Sequence, residues 1–113
     1  MQTLYVPERG DLVWLNFTPP AGHEQTVRRP ALVLSPSSYN GKTNLALFCP
    51  VTGQIKGYPF EVPIPAELSV NGVVLADQVK NLDWRVRQAQ LICKLPENVL
   101  VTVLKQVAML IKV

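Results

Sequence analysis

A small, mainly β-stranded barrel with one C-terminal helix is what this sequence predicts. Three observations carry the prediction. The apolar runs are short and bounded by Gly, Pro, Asn or Asp, the residues that separate strands by turns. Ten prolines are scattered through 113 residues, and proline interrupts helix interiors. Only the stretch after Pro96 carries apolar residues at helical spacing.

The elements follow in order. Leu12 to Phe17 reads as a strand between Arg9-Gly10-Asp11 and Thr18-Pro19-Pro20. Residues 18–29 read as a long polar loop. Ala31 to Ser35 is a buried strand stopped by Pro36, and Asn40-Gly41 is a turn signal. Asn44 to Val51 is a further apolar strand. Phe60 to Ile64 alternates, so it is half-buried, and Pro63 puts it at an edge because proline cannot donate to a ladder. Asn71-Gly72 turns the chain into Val73-Val74-Leu75. Leu82 to Arg87 alternates apolar and polar, with the apolar set facing the core. Pro96 and Glu97 suit a helix start, and Val99, Leu100, Val103, Leu104, Val107, Leu110 and Ile111 mark the helix.

The length fits one domain over residues 1–113, and 48% hydrophobic residues favour a folded chain. A net charge of +3 permits an anionic partner without demanding one, so a nucleic-acid site must be a local patch. Cys49 and Cys93 lack metal-ligand spacing, and Cys49 reads as a small buried hydrophobe. No secretory start is visible, and no apolar run reaches the roughly 20 residues that span a membrane. A reduced, cytoplasmic setting is the expectation.

Two segments place polar groups on loops beside apolar strands: Gly22-His23-Glu24-Gln25-Thr26-Val27-Arg28-Arg29-Pro30 and Pro50-Val51-Thr52-Gly53-Gln54-Ile55-Lys56-Gly57-Tyr58-Pro59-Phe60. Together they supply an arginine, a carboxylate, a hydroxyl and a lysine, which suits phosphate chemistry. With the later Leu75-Ala76-Asp77-Gln78-Val79-Lys80 and Trp84-Arg85, the pattern from about Tyr5 to Arg87 resembles the MazF/PemK toxins. These are ribosome-independent endoribonucleases of bacterial toxin–antitoxin pairs. The resemblance implies an SH3-like barrel working as a homodimer. It implies sequence-specific cleavage of single-stranded RNA, chiefly mRNA, by attack of the 2′-hydroxyl. The products would be a 2′,3′-cyclic phosphate and a 5′-hydroxyl, with no metal or other cofactor. It further implies a cognate antitoxin whose acidic, partly disordered tail covers the same groove.

Arg29 is the first candidate for catalysis. Its planar guanidinium can hold two phosphate oxygens and stays charged, and Pro30 restricts its backbone to extended forms. Arg28 and Arg29 point to opposite sides if both are extended, and the resemblance selects Arg29. The resemblance gives the second catalytic role to Thr52, which by itself reads better as a turn-capping hydroxyl. Glu24 can accept the 2′-OH proton or orient Arg29; pairing would lower its pKa and weaken it as a base. His23 is the other candidate base. For RNA contact the candidates are His23, Gln25, Arg28, Asn40, Lys56, Tyr58, Asp77, Gln78, Lys80 and Arg87. Lysine and arginine would meet phosphates, Tyr58 would stack on bases, and amides and carboxylates would read base edges. Phe60 reads better as barrel packing, and Trp14 and Trp84 as core or interface. Gly53 stands where the family often has a polar residue, so a cleavage sequence does not carry over. Two other classes remain open from sequence: a toxin of this fold that poisons DNA gyrase by contact, and an RNA-binding module without catalysis.

Overall fold

The computed structural model describes residues 5–18 and 27–112. Its elements run β1 (Asp11–Asn16), β2 (Arg28–Val33), α1 (Ser37–Thr43), β3 (Leu45–Thr52), β4 (Glu61–Pro63), β5 (Val73–Leu75), β6 (Lys80–Asp83), β7 (Gln90–Lys94) and α2 (Glu97–Ile111). Every strand pairing is antiparallel. The sheet runs β4-β5-β3-β2-β1-β7, with β6 also on β3. β3 is the hub. Its first half pairs with β6, its end pairs with β5, and its middle pairs with β2. The predicted class, a mainly β fold with a C-terminal helix, is the class observed; among the described residues the path of strands stays open, which is compatible with the small barrel expected.

Both faces of the central strands are covered, which is why β1 is buried everywhere except Trp14. Leu12, Leu32, Cys49, Val51 and Val74 lie on one face, in a core that α2 closes with Val103. Val13, Leu15, Ala31, Val33 and Phe48 form a second core with Trp84 on the other face. A strand buried on both faces reads as a continuous apolar run, as Leu12 to Leu15 does. Burying each such side chain contributes about 1.5–3 kcal/mol. α2 begins after Pro96 as predicted, and Val99, Leu100, Leu104 and Val107 pack on the first core. Its last turn leaves Met109, Leu110 and Ile111 exposed. No helix among the described residues is long and apolar enough to cross a membrane.

The structure corrects three expectations. Arg28 and Arg29 belong to β2 rather than to the preceding loop, because β1 extends a ladder to both of them. Asn40-Gly41 is no turn. It lies inside α1, and the chain reverses at Asn44, which takes the left-handed conformation with φ 61°. The amide of Asn40, the feature that suggested a turn, is spent on tertiary contacts. Its Nδ2 donates to the carbonyls of Pro7 (2.8 Å) and Ser35 (3.0 Å), and its Oδ1 accepts from the Ser35 hydroxyl (2.6 Å). The Asn40 carbonyl accepts from the indole of Trp84 at 2.9 Å. Finally, the alternation from Leu82 to Arg87 is not one strand. The carboxylate of Asp83 accepts the N–H groups of Arg85 and Val86, both at 2.9 Å. That side-chain turn ends β6 and leaves Val86 exposed.

Asn40 is fully buried, so it is a scaffold residue rather than an RNA contact. Asn40→Ala is expected to lower unfolding free energy by ~2–4 kcal/mol, since each buried group left unpaired costs ~1–3 kcal/mol. Urea melts measure this. A wild-type midpoint combined with weakened RNA binding would return Asn40 to the RNA surface.

Candidate active site

The site grows out of the β2–β3 ladder. Val33 lies opposite Phe48, and Ala31 opposite Pro50. Running this register two residues further sets Arg29 opposite Thr52. Side chains two apart share a face, so Arg29 continues the row of Ala31 and Val33, and Thr52 the row of Phe48 and Pro50. The inner part of this double row is second core. Its outer end opens to solvent, where Arg29 is exposed and Thr52 half-buried. Each leaves the sheet at a point that the packed row behind it fixes.

Arg29 and Thr52 line two adjoining cavities of about 270 and 300 Å³. Phe17 and Pro50 add apolar surface to the first of them, and Gln78 and Lys80 line it with Arg29. The Lys80 ammonium lies 5.8 Å from the Phe17 ring centroid. On the other side of Thr52 is a third cavity of about 190 Å³, lined by Lys56, Tyr58, Phe60, Glu61, Asp77 and Gln78 among others. Thr52 is common to all three. The structure therefore brings together Arg29, Thr52, Lys56, Tyr58, Asp77, Gln78 and Lys80. Tyr58 is 60% exposed, and the Lys56 ammonium lies 6.0 Å from its ring centroid. Phe60 packs partly against the first core, as its sequence context suggested.

The Thr52 hydroxyl accepts the N–H of Gln54 at 3.1 Å. The turn-capping reading is therefore correct, and it leaves the catalytic reading intact. A hydroxyl has two acceptor lone pairs and one proton, so Thr52 can take an N–H from behind while aiming its O–H into the cleft. Gly72 is the reason its backbone sits so close to β5. This residue has φ 120°, and a Cβ there would lie 2.1 Å from the Thr52 carbonyl oxygen.

Arg28 and Arg87 are not in the cleft. Arg28 pairs with Asn16 across β1–β2. Its Nη1 donates to Asn16 Oδ1 at 2.8 Å, and its Nη2 donates to the Gln88 carbonyl (3.0 Å) and Gln90 Oε1 (3.3 Å). Its donors are thus occupied on the face opposite Arg29. Arg87 lies in the turn after β6, with its carbonyl accepting the N–H of Asn16 at 2.9 Å. By contrast, among the described residues the one ion pair is Lys94 with Asp11, and the guanidinium of Arg29 is unengaged. His23, Glu24 and Gln25 lie outside the described residues.

Cys49 stays a core residue. Burial, with the charge of Asp77 adding to it, pushes its thiol up to about 12, which makes it a poor nucleophile near neutrality. Sequence reasoning missed Phe17, Gly72 and Glu61. Phe17 was legible as the end of a strand, but nothing local says it lines a cleft. Glu61 meets backbone N–H groups of the preceding loop, which leave no mark in a residue pattern.

Arg29, Lys80 and the Thr52 hydroxyl line one cavity with Phe17 and Pro50 at the ends of the central strands of a small β protein, an arrangement of charge and apolar surface suited to an anionic, partly apolar ligand. The chain belongs to the PemK-like, MazF-like toxin family of type II toxin–antitoxin systems, whose model matches residues 8–111. It is 53% identical over 89 residues to the endoribonuclease toxin MazF of Escherichia coli (strain K12), covering 79% of each chain. It is 32% identical over 101 residues to the endoribonuclease PemK of Escherichia coli, covering 86% of this chain and 76% of that one. Its fold superposes with a TM-score of 0.89 on a chain of a MazE–MazF crystal structure from Deinococcus radiodurans, at 59% identity over 95% of this chain and 96% of that one.

Proposed function

We propose that this chain is the toxin of a type II toxin–antitoxin pair and an endoribonuclease that cuts single-stranded RNA in the cytoplasm. The observation that carries the reading is that Arg29 and Thr52 line the same two cavities beyond the end of the β2–β3 ladder, in a family whose relatives at 32% and 53% identity are endoribonucleases. RNA supplies its own nucleophile. The 2′-hydroxyl gives its proton to a base as it attacks the adjacent phosphorus, the bond to the 5′-oxygen breaks, that oxygen takes a proton from water, and a 2′,3′-cyclic phosphate and a 5′-hydroxyl result.

Arg29 holds the non-bridging oxygens as charge builds on the phosphorane, the kind of stabilisation that is often the largest catalytic contribution. A guanidinium is a poor proton carrier, so its part here is electrostatic. Thr52 donates a hydrogen bond from its hydroxyl to a phosphate oxygen. Glu24 accepts the 2′-OH proton, with His23 as the competing base. Lys80 and Lys56 neutralise flanking phosphates, Tyr58 stacks on a base, and Gln25, Asp77 and Gln78 meet base edges. Unstacked bases are needed for such contacts, so single strands are the substrate. The functional unit is a homodimer, inhibited by an antitoxin whose acidic tail lies along the same cationic cleft; the MazE–MazF crystals from Deinococcus radiodurans support that partnership.

The test is cleavage of a long single-stranded RNA in EDTA, with product ends identified. Cuts at a short recurring sequence with 2′,3′-cyclic phosphate ends are expected. Intact RNA after incubation with folded protein would overturn the reading, and stalled DNA gyrase in the same preparation would replace it with contact poisoning.

A further inference from the structure

The segment between β3 and β4 carries Lys56 and Tyr58 to the cleft, yet little holds it. From Gly53 to Pro59 every residue is exposed, with Ile55 66% and Tyr58 60% accessible. Apolar burial therefore does not fix its shape. Its ends are tied by the Gln54 N–H on the Thr52 hydroxyl and by the Glu61 N–H on the Tyr58 carbonyl (3.1 Å). Its middle is held, among the described residues, by one side chain. The carboxylate of Glu61 accepts the Gly57 N–H at 2.8 Å through Oε1, and the Lys56 N–H at 3.2 and 3.1 Å through its two oxygens.

Two successive N–H groups converging on one point form a nest suited to an anion, and Gly57, with φ 80°, turns the backbone to make it. The chain fills this nest with its own carboxylate. Glu61 belongs to β4, where it lies opposite Leu75 of β5, and β5 pairs with Thr52 of β3. The loop is thus referenced to the same strands that hold Thr52. A negative charge on the wall of an RNA cleft opposes substrate binding unless it is neutralised; charge-assisted bonds to two N–H groups neutralise it locally.

We propose that Glu61 is a positioning residue for RNA: its carboxylate holds the loop between β3 and β4 in the shape that keeps Lys56 and Tyr58 beside Thr52. The inference rests on the ribonuclease reading above and adds a residue to it. Arg29 and Thr52 stand on the sheet, outside the part of the loop that Glu61 holds. Losing the carboxylate therefore weakens binding of the ground state and the transition state alike, which raises KM and spares kcat.

The experiment measures steady-state cleavage of a single-stranded oligoribonucleotide by wild type, Glu61→Gln and Glu61→Ala, with amide exchange at Lys56 and Gly57 followed by NMR. Glu61→Ala is expected to raise KM about tenfold, a loss of one decade in binding, while kcat stays within about twofold. Glu61→Gln, which keeps one acceptor oxygen, should fall between, and both amides should exchange faster in the alanine variant. On a Lys56→Ala/Tyr58→Ala background the Glu61→Ala change should add little to KM, because the groups it positions are gone. A lower melting temperature alone would not produce that non-additivity. Unchanged KM in a Glu61→Ala enzyme, a fall confined to kcat, or wild-type exchange at both amides overturns the proposal. Wild-type protein that leaves the oligonucleotide intact sinks the ribonuclease reading, and this inference with it.

Discussion

Arg29→Ala is expected to slow RNA cleavage ~100- to 1000-fold, the usual cost of removing a donor that stabilises developing charge in the transition state. The fold should survive, since the side chain is exposed and, among the described residues, unengaged. Arg28 is the internal control. Its guanidinium bonds Asn16, Gln88 and Gln90, so Arg28→Ala should cost a fraction of the stability and leave the turnover rate within a few-fold of wild type. Arg29→Lys should recover only part of the rate, because an ammonium keeps the charge but loses the planar fork that grips two oxygens. Single-turnover cleavage of a defined oligonucleotide, with thermal melts of each variant, separates these outcomes. If Arg28→Ala were the slower enzyme, the assignment of faces along β2 would be wrong.

Gly72→Ala is the second large effect. A Cβ at this position would sit 2.1 Å from the Thr52 carbonyl oxygen and 2.8 Å from its carbonyl carbon. The backbone, with φ 120°, is also one that only glycine adopts readily. Strain of this kind costs about 1–3 kcal/mol before any overlap is relieved, and relief must push the end of β3 away from β5. Thr52 moves with it, so activity should fall further than the loss of folded protein explains. Gly53→Ala, one residue beyond Thr52, is the comparison. A Cβ there meets nothing within 4 Å, and its stability should stay near wild type. Melting temperatures and kcat on folded protein decide the matter. A Gly72→Ala variant with wild-type stability and rate would show that the close approach of β5 to Thr52 has no role.

Much of this molecule was legible without coordinates because the relevant signals are local. Short apolar runs between turn residues marked β1, the inner part of β2, β3 and β5. Pro63 put β4 at an edge, and the spacing after Pro96 marked α2 together with the residues it buries. The order of motifs around Arg29, Thr52 and Asp77-Gln78 placed the chain among the MazF/PemK toxins before any contact was known.

Other features belong to residues distant in sequence and were decided only by packing. Asn40 and Gly41 carry turn chemistry, but the Asn40 amide is taken by Pro7 and Ser35 and its carbonyl by Trp84, so the chain stays helical there. Arg28 and Arg29 are chemically equivalent neighbours. The β1–β2 register sets Arg28 against Asn16, and Arg29 lines the cleft with Thr52. The role of Glu61 depends on where a loop folds back, since its partners are backbone N–H groups common to nearly every residue. Local patterning thus marked β1, the inner part of β2, β3, β4, β5 and α2, and the order of motifs carried the family resemblance, while α1 and β7 left no such mark. The tertiary structure decided which of several similar polar side chains the cleft receives, because hydrogen-bond partners far along the chain claim Arg28 and, among the described residues, none claims Arg29.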